Sequence, residues 1–526
     1  MTTRCLAFAI AITFAGSLGA GEGLNPQALF KPPADLWGTY NGDYSGRRYS
    51  QLSQINSGNA GSLTLAWAFQ TKAVPIKSTP LVVDGIMYFT VPDQVWAIDA
   101  RTGRQIWHYQ HAAKGGDFIG HRGVGMYQNW LFFETPDCHL ISLNALDGSV
   151  RWDVELADWK LGYFATMAPL VIRNHVVVGV SGDVTDIPGF LASVDPETGK
   201  LQWKWNTEPQ PGEPGSETWP SEGDAIRHGG GMTWMTGTYD PELNLLYWGT
   251  GNPNPVLAGA GRKGDNLWTC SIVALDPDTG KLVWHFQPSP HDVHDWDAVQ
   301  TPVLFDAEFK GRKRMLVAQA SRNGYFFVLD RKSGENLLST PFIELNWAEG
   351  VDAKGRPITK PDKEPSPDGA LVEPGSDGST NWMSPSFSPN TGLFYVIARR
   401  VFSIFYLTAV GKAEGWGGRD RNLWSDTVLQ AIDYKTGKVR WGHELGEGEG
   451  VAGILTTAGG VLFTADTAGN FLALDASSGK TIWHSYGGGR VEASPMTYEL
   501  DGRQYVMLPS GGTLFAWTLP ENSKAH

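Results

Sequence analysis

One short motif recurs seven times along this chain. A polar turn built around an aspartate and a glycine is followed, four residues after the glycine, by a bulky apolar residue. Such self-similarity is typical of stacked copies of one supersecondary unit that cannot bury its apolar faces alone. The seven bulky residues are Trp107, Trp152, Trp203, Trp284, Leu338, Trp441 and Trp483.

The repeated unit is predicted to be antiparallel β structure. Each copy begins with an apolar run, such as SIVALD at 271–276, then a turn that is D-x-x-T/S-G in most copies, then a second strand. The intervals between copies are uneven, which favours a regular frame with large loops, and the short intervals have room for four strands. Trp67 fits as an eighth landmark with a diverged turn. The sequence therefore predicts an all-β fold, an eight-bladed β-propeller, over residues 21–526 as a single domain.

The repeated tryptophans have two interpretations. They are either wedges that pack between neighbouring sheets or contacts to a ligand, and their identical place in nearly every copy favours packing. The fold is thus predicted to be a propeller with tryptophan-docking repeats, in which Leu338 marks a smaller wedge.

Charge and the N-terminal residues restrict the partners and the compartment. The formal net charge of −13 argues against nucleic acid or an anionic membrane as a partner. Residues 1–20 combine Arg4, an apolar run and small residues ending at Ala20, which predicts a secretory signal peptide and a periplasmic protein. No later segment is apolar enough to be a transmembrane span. Cys138 and Cys270 lie in different repeats, so no disulfide is assumed.

Two long loops interrupt the repeats, between residues 208 and 231 and between 346 and 380. Loops of this length in a compact domain are usually functional or disordered. Both lead into clusters of polar and aromatic residues, so we expect them to be functional.

The segment PHDVHDWDA at 290–298 concentrates acidic residues. Asp292, Asp295 and Asp297 lie within six positions, and carboxylates at that density repel one another unless a cation neutralises them. The alternative is a solvated acidic turn, which the flanking apolar residues make less attractive.

Several long strings resemble the quinoprotein alcohol dehydrogenases, eight-bladed propellers that bind pyrroloquinoline quinone (PQQ) and a calcium or lanthanide ion. The resemblance covers nearly all of the mature chain. It is carried by WGTYNGDYSGRRYSQLSQIN from Trp37, GGGMTWMTGTYDPELNLLYWGTGNPNP from Gly229, SRNGYFFVLDR from Ser321, NWMSPSFSPNTGLFYV from Asn381 and the segment from Gly264 that contains PHDVHDWDA.

The resemblance implies a catalytic base and a metal site. Asp295 matches the family's base and is also expected among the metal ligands, and Asp297 matches an extra aspartate that accompanies lanthanide use. Asn252, in WGTGNPNP, matches a metal-binding asparagine. Val184 stands where the family has a metal-binding glutamate, so the adjacent Asp183 is the remaining candidate for that ligand.

The resemblance also implies how PQQ would be held. Trp234 matches the tryptophan on which the planar cofactor rests, while Arg322 and Asn381 match residues that contact the quinone edge. Residues expected at the cofactor's carboxylates are Arg122, Thr166 and Ser181, with Lys77 at a cofactor-contacting glutamate position.

Further departures from the family's pattern affect the contacts around the cofactor. His294 replaces the tryptophan that precedes the base, and Gly116 and Asp117 occupy the places of a pair of adjacent cysteines that caps the quinone. Tryptophans expected near Val451 and Thr513 are missing.

Three functions follow as hypotheses. The first is a periplasmic PQQ-dependent dehydrogenase for an alcohol or related hydroxyl compound. Because no C-x-x-C-H occurs in the sequence, its electrons would pass to a separate c-type cytochrome. The second is a divergent propeller of this type without bound PQQ, which Val184 and Lys77 favour. The third is a non-enzymatic scaffold propeller.

Overall fold

The computed structural model describes residues 23–72, 76–182, 187–221, 225–227, 229–408 and 415–521. Within these residues, strands form eight sheets of at least four strands each. Neighbouring strands pair antiparallel in these sheets, except that Tyr49–Ser50 runs parallel to Leu455–Thr457. Blade 1 consists of the strands Leu81–Val83, Ile86–Val91, Gln94–Asp99 and Gln105–Gln110, and blade 2 of Gly125–Tyr127, Trp130–Glu134, His139–Asn144 and Val150–Glu155. Blade 3 consists of Leu170–Ile172, His175–Gly179, Phe190–Val194 and Leu201–Asn206, and blade 4 of Thr238–Asp240, Leu245–Gly249, Ile272–Leu275 and Leu282–Phe286.

The ring is closed by a blade that combines the two ends of the chain. Thr64–Gln70 pairs antiparallel with Thr513–Thr518 and so becomes the fourth strand of blade 8. This pairing joins the N-terminal strand to the last blade and so closes the propeller. Blade 5 consists of the strands Val303–Phe309, Arg312–Ala320, Tyr325–Asp330 and Asn336–Pro341, and blade 6 of Ser386–Ser388, Leu393–Leu407, Gly418–Asp433 and Val439–Glu447. Blade 7 consists of Leu455–Thr457, Val461–Ala465, Asn470–Asp475 and Thr481–Tyr486, and blade 8 of Met496–Leu500, Arg503–Ser510, Thr513–Thr518 and Thr64–Gln70.

Shorter elements decorate the blades. Tyr49–Ser50 adds to blade 7 and Ala370–Val372 adds to blade 6. The long loop at 346–380 is ordered around a hairpin of Ala348–Val351 and Pro357–Thr359. Seven short 3₁₀ helices occur in the described residues, at Pro26–Phe30, Ala60–Ser62, Trp159–Leu161, Ser216–Thr218, Ala225–Arg227, Gly259–Gly261 and Pro361–Lys363. No helix within the described ranges has the length and apolarity needed to cross a bilayer.

Burial gives the radial order of the strands. The first strand of blade 1, Leu81–Val83, is buried at every position, whereas the fourth strand, Gln105–Gln110, is largely exposed. The same contrast holds in blade 3 between Leu170–Ile172 and Leu201–Asn206. First strands therefore face the central axis and fourth strands face solvent.

The repeated motif joins each blade to the next. Trp203 of blade 3 donates its indole N–H to the carbonyl of Pro277, in the Asp-x-x-Thr-Gly turn of blade 4, at 2.7 Å. Gly280 of that turn has φ +68°, and a Cβ there would lie 2.6 Å from Cε3 of Trp203. The turn thus needs glycine for its positive φ and for contact with the indole ring.

The same contact recurs around the ring and confirms that the tryptophans pack between blades. Indole N–H groups also donate to the equivalent carbonyls in the pairs Trp67–Ala100, Trp107–Ala145, Trp152–Pro196 and Trp284–Arg331. Leu338 takes this place in blade 5, where a Cβ on Gly437 would lie 2.0 Å from Cγ2 of Thr340 and 3.3 Å from Leu338. The predicted all-β, eight-bladed propeller is confirmed, and Trp67 is the eighth landmark.

The two cysteines of the described residues are both buried and form no disulfide. They are Cys138 in blade 2 and Cys270 in blade 4.

Glu134 gives a stability prediction that depends on pH. Its side chain is fully buried, and neither carboxyl oxygen has a hydrogen-bond partner among the described residues. Burial raises its pKa well above the ordinary value of 4.5. The folded state therefore holds the proton more tightly than the unfolded state, and stability is lost as pH rises through the folded pKa.

We expect Glu134→Gln to reduce this loss. Thermal unfolding at pH 5 and pH 8 should show a smaller decrease in Tm for the variant than for the parent protein. Glu335, whose side chain is 63% exposed, offers the matched control Glu335→Gln, which should leave the decrease unchanged. An equal decrease in Glu134→Gln and the parent would contradict the assignment.

Candidate active site

The blade topology brings the predicted site residues to one face of the ring. The first two strands of a blade are antiparallel, so the segment before the first and the segment after the second lie at the same face. The residues that lie within eight positions before a first strand are Lys77, Arg122, Thr166, Trp234, Asp295, Asp297 and Asn381. Those within three positions after a second strand are Ser181, Asn252 and Arg322.

Asp297 is the most buried carboxylate of the site, with 1% of its surface exposed. Its Oδ2 accepts the indole N–H of Trp234 at 2.8 Å, and its Oδ1 accepts the backbone N–H of Asn252 at 2.8 Å. Burial raises the pKa of the Asp297 carboxyl, while the Arg322 guanidinium and the Trp234 N–H oppose that rise. Both oxygens are thus committed to neighbours that the sequence predicts to hold PQQ or metal.

Arg322 links the two predicted metal-binding carboxylates. Its Nη1 lies 3.3 Å from Oδ2 of Asp295 and 3.5 Å from Oδ1 of Asp297, and it also donates to the backbone carbonyl of Asp295. The side chains of Arg322 and Asp295 are only 9% and 14% exposed. One buried guanidinium therefore balances two carboxylates at the floor of the site.

A second group of contacts lies beside the Trp234 ring. The Arg122 guanidinium carbon sits 4.9 Å from the centroid of that ring, and Arg122 Nη1 donates to the Thr166 hydroxyl at 2.7 Å. The hydroxyls of Thr166 and Ser181 are 3.2 Å apart. Arg122, Thr166 and Ser181 thus form a polar patch next to Trp234, with the Arg122 guanidinium over the face of the ring.

Lys77 lies across the propeller from Asp295 and Asp297, because it precedes the first strand of blade 1 and they precede the first strand of blade 5. Its ammonium is 3.7 Å from Oε2 of Glu492 and 5.2 Å from the centroid of the Trp382 ring. Burial lowers the pKa of Lys77, and Glu492 opposes this shift. The ion pair with Glu492 accounts for a lysine at a position that the family gives to glutamate.

Several buried polar atoms of this face have no hydrogen-bond partner among the described residues. They include Oδ1 of Asn381, Nε1 of Trp382 and Nε2 of Gln300. The amide of Asn381 donates to the backbone carbonyl of Asp377 at 3.1 Å, so its oxygen is the free end. Unpaired buried donors and acceptors are costly, and a polar ligand that paired with them would remove that cost.

The residues present fit both groups that the sequence implies. Carboxylates and an amide are the hard oxygen donors that calcium and lanthanide ions take, although no three His, Cys, Asp or Glu side chains in the described residues already form a metal cluster. For a flat, polyanionic quinone, Trp234 offers a ring and Arg122, Lys77 and Arg322 offer positive charge. The predicted ligand Asp183, with Val184, lies outside the described residues.

The acidic segment at 290–298 is largely buried, which rules out the solvated acidic turn. Asp292 and His294 are 3% and 4% exposed. Burial lowers the pKa of His294 to about 4, so the imidazole is neutral at pH 7 and donates from Nε2 to the Lys363 carbonyl at 2.8 Å. The ring also stacks on Trp296, at 4.2 Å between centroids. His294 therefore joins this segment to the ordered loop at 346–380.

Sequence reasoning gave no role to Glu492, Gln300 or Asp292. Glu492 lies four residues before the first strand of blade 8, as Trp234 does in blade 4, and Gln300 lies three residues before blade 5. Counting back from each apolar first strand would have found both. Asp292 was visible only as a member of an acidic cluster.

Comparison with known proteins decides the family. A family model described as PQQ: glucose/ethanol/alcohol dehydrogenase, beta-propeller domain, matches residues 37–345 and 427–506. The quinoprotein alcohol dehydrogenase PedH of Pseudomonas putida is 35% identical over 550 residues, covering 96% of this chain and 91% of that protein. This chain belongs to the quinoprotein alcohol dehydrogenase family. The prediction of an alcohol dehydrogenase oxidoreductase is thereby confirmed.

Solved structures of quinoproteins agree with the fold. Quinohemoprotein alcohol dehydrogenase from Comamonas testosteroni superposes with a TM-score of 0.87 at 32% identity, covering 94% of this chain and 81% of that one. A europium-containing methanol dehydrogenase superposes with a TM-score of 0.86 at 29% identity, covering 94% and 99%. The roles of individual residues in this quinoprotein stay predictions.

Proposed function

We propose that this protein is a PQQ-dependent dehydrogenase that oxidises an alcohol or a related hydroxyl compound. The observation that carries the proposal is the convergence of Asp295, Asp297, Asn252, Trp234 and Arg322 from blades 4 and 5 into one contiguous network. Packing alone does not require two carboxylates, a guanidinium and an indole N–H to meet in this way.

In the proposed reaction, Asp295 accepts the proton of the substrate hydroxyl. When bound, PQQ and a calcium or lanthanide ion supply the polarised quinone carbonyl that takes up the hydride. Asp297 fixes the Trp234 ring through the indole N–H, so the flat surface is held in one orientation. Arg322 holds the backbone and carboxylate of Asp295, which limits the movement of the base.

The surroundings of the reaction are also proposed. The N-terminal sequence supports secretion to the periplasm with removal of residues 1–20, and the absence of C-x-x-C-H from the sequence supports a separate c-type cytochrome as electron acceptor.

Cofactor loading is the decisive experiment. Apo-protein is incubated with PQQ and either Ca²⁺ or La³⁺, passed through a desalting column and examined for quinone absorbance and for dye reduction with short alcohols. We expect retained quinone and alcohol-dependent dye reduction with at least one ion. Trp234→Ala is expected to retain less quinone, because it loses the stacking surface.

A propeller of this family without PQQ is the second candidate, which the valine at position 184 and the lysine at position 77 favour. Failure to retain quinone with either ion would reject the dehydrogenase and leave this candidate.

A further inference from the structure

We propose that Asp292 is a positioning residue for the reaction and holds the backbone of Asp295 in the conformation that aims its carboxylate. The proposal rests on the proposed function, because it takes Asp295 to be the base. Asp292 itself is assigned no contact with substrate or cofactor.

A single carboxylate oxygen of Asp292 accepts hydrogen bonds from three successive backbone N–H groups around Asp295. Its Oδ2 accepts the N–H groups of His294 at 3.4 Å, Asp295 at 2.9 Å and Trp296 at 3.2 Å. Hydrogen bonds from neutral donors to a charged acceptor are about twice as strong as neutral pairs. Three successive N–H groups are therefore turned toward one buried charge.

These hydrogen bonds stabilise an uncommon backbone conformation at Asp295. Asp295 has φ +68°, in the left-handed region that residues with a Cβ rarely adopt. Such a conformation persists only where the surroundings determine it. The N–H of Asp295 makes the shortest of the three bonds to Asp292, so this contact acts directly on the strained residue.

Asp292 is itself held by a second buried residue. Its backbone carbonyl accepts Nη2 of Arg262 at 2.5 Å, and Arg262, which is fully buried, also donates to the carbonyls of Pro255 and Val256. Those carbonyls lie shortly after Asn252. The capping carboxylate is thus fixed relative to the predicted metal-binding loop.

The other end of the segment is clamped by the ordered loop at 346–380. His294 donates to the Lys363 carbonyl, and the indole of Trp296 donates to the Gly375 carbonyl at 3.0 Å. Both neighbours of Asp295 are thus tied down and Arg322 holds its carbonyl oxygen, while Asp292 holds its backbone N–H.

The second oxygen of Asp292 has no hydrogen-bond partner within the described residues, and Asp292 lines a cavity of about 30 Å³. An amide in place of the carboxyl group could keep its oxygen on the three N–H groups and turn its nitrogen toward the unpaired side. Asparagine should therefore preserve the function of Asp292, whereas alanine should abolish it.

The test compares Asp292→Ala and Asp292→Asn in protein loaded with PQQ and metal, with kcat and KM measured at equal quinone content. We expect Asp292→Ala to lose about 100-fold in kcat with KM within a few-fold, because a small displacement of a catalytic group has an effect of that order. Asp292→Asn is expected to keep kcat within about tenfold, since the neutral acceptor weakens the cap without removing it.

Asp195 provides a matched control far from the site. In the turn of blade 3 its Oδ1 accepts the N–H groups of Glu197 and Thr198 and the Thr198 hydroxyl, so it caps a turn with one oxygen as Asp292 does. Asp195→Ala should lower Tm but leave kcat unchanged. If Asp292→Ala does not fold, Asp292→Ser replaces it, and its kcat is expected to lie between that of the asparagine variant and the roughly 100-fold loss expected for alanine.

The outcomes separate this proposal from the function on which it rests. Absence of quinone retention in the parent protein rejects the proposed function. An active parent with a normal kcat in Asp292→Ala, or with an equal loss in Asp292→Ala and Asp292→Asn, overturns the positioning role alone.

Discussion

Asp295→Asn is expected to lower kcat for alcohol oxidation by about 1,000-fold, within the range that general bases contribute. The amide has nearly the same shape as the carboxylate but cannot accept the hydroxyl proton. Arg322 would still reach the backbone carbonyl of residue 295, so the segment and the quinone content should be preserved. Single-turnover dye reduction at equal quinone content measures the effect.

An exposed aspartate serves as control for the loss of charge. Asp306 pairs with Arg331 and has a side chain 64% exposed. It lies within the first strand of blade 5, toward the face opposite the candidate site. Asp306→Asn should keep full activity. A kcat close to the parent value in Asp295→Asn would show that another group accepts the proton.

The architecture was predictable because each repeat carries its own packing information. The turn needs a glycine where it contacts the indole ring, and the preceding blade needs a tryptophan that reaches that turn. Both residues are visible as a motif in the sequence, as Gly280 and Trp203 show. Eight copies of one local rule specify the ring, and its closure follows from the eighth landmark at Trp67. Lateral contacts between neighbours are enough to give this result.

The residues of the candidate site were identified in a different way. Their strings resemble those of a known family, and the topology then places every segment before a first strand at the same face. Physical reasoning from the sequence alone reached only the acidic cluster at 290–298. It gave no signal that Asp297 would bond to Trp234, because these residues are 63 positions apart.

The pairing of charged side chains in the candidate site could not be predicted from the sequence. Lys77 stands at a position that the family gives to glutamate, and its partner Glu492 lies far along the chain and reaches it only after blade 8 closes the ring. Arg322 likewise balances two carboxylates that a linear sequence shows only as a repulsive cluster. Such pairings depend on ring geometry and not on local propensity.

Asp297 should tolerate asparagine far less well than Asp292, although the two residues share one segment. Asp297 uses both oxygens, one for the Trp234 indole and one for the Asn252 backbone. An amide offers a single acceptor, so in Asp297→Asn one buried donor would face an NH₂ group. Each such unpaired donor costs about 1–3 kcal/mol.

We therefore expect both Asp297→Asn and Asp297→Ala to lose quinone retention and lanthanum-dependent turnover. The loss should be larger with La³⁺ than with Ca²⁺, because removing one negative charge costs more beside a trivalent ion. Quinone absorbance after desalting and dye reduction with each ion measure the two effects. Unchanged retention in Asp297→Asn would mean that the orientation of Trp234 does not depend on this carboxylate, and the proposed link between the metal site and the aromatic surface would be lost.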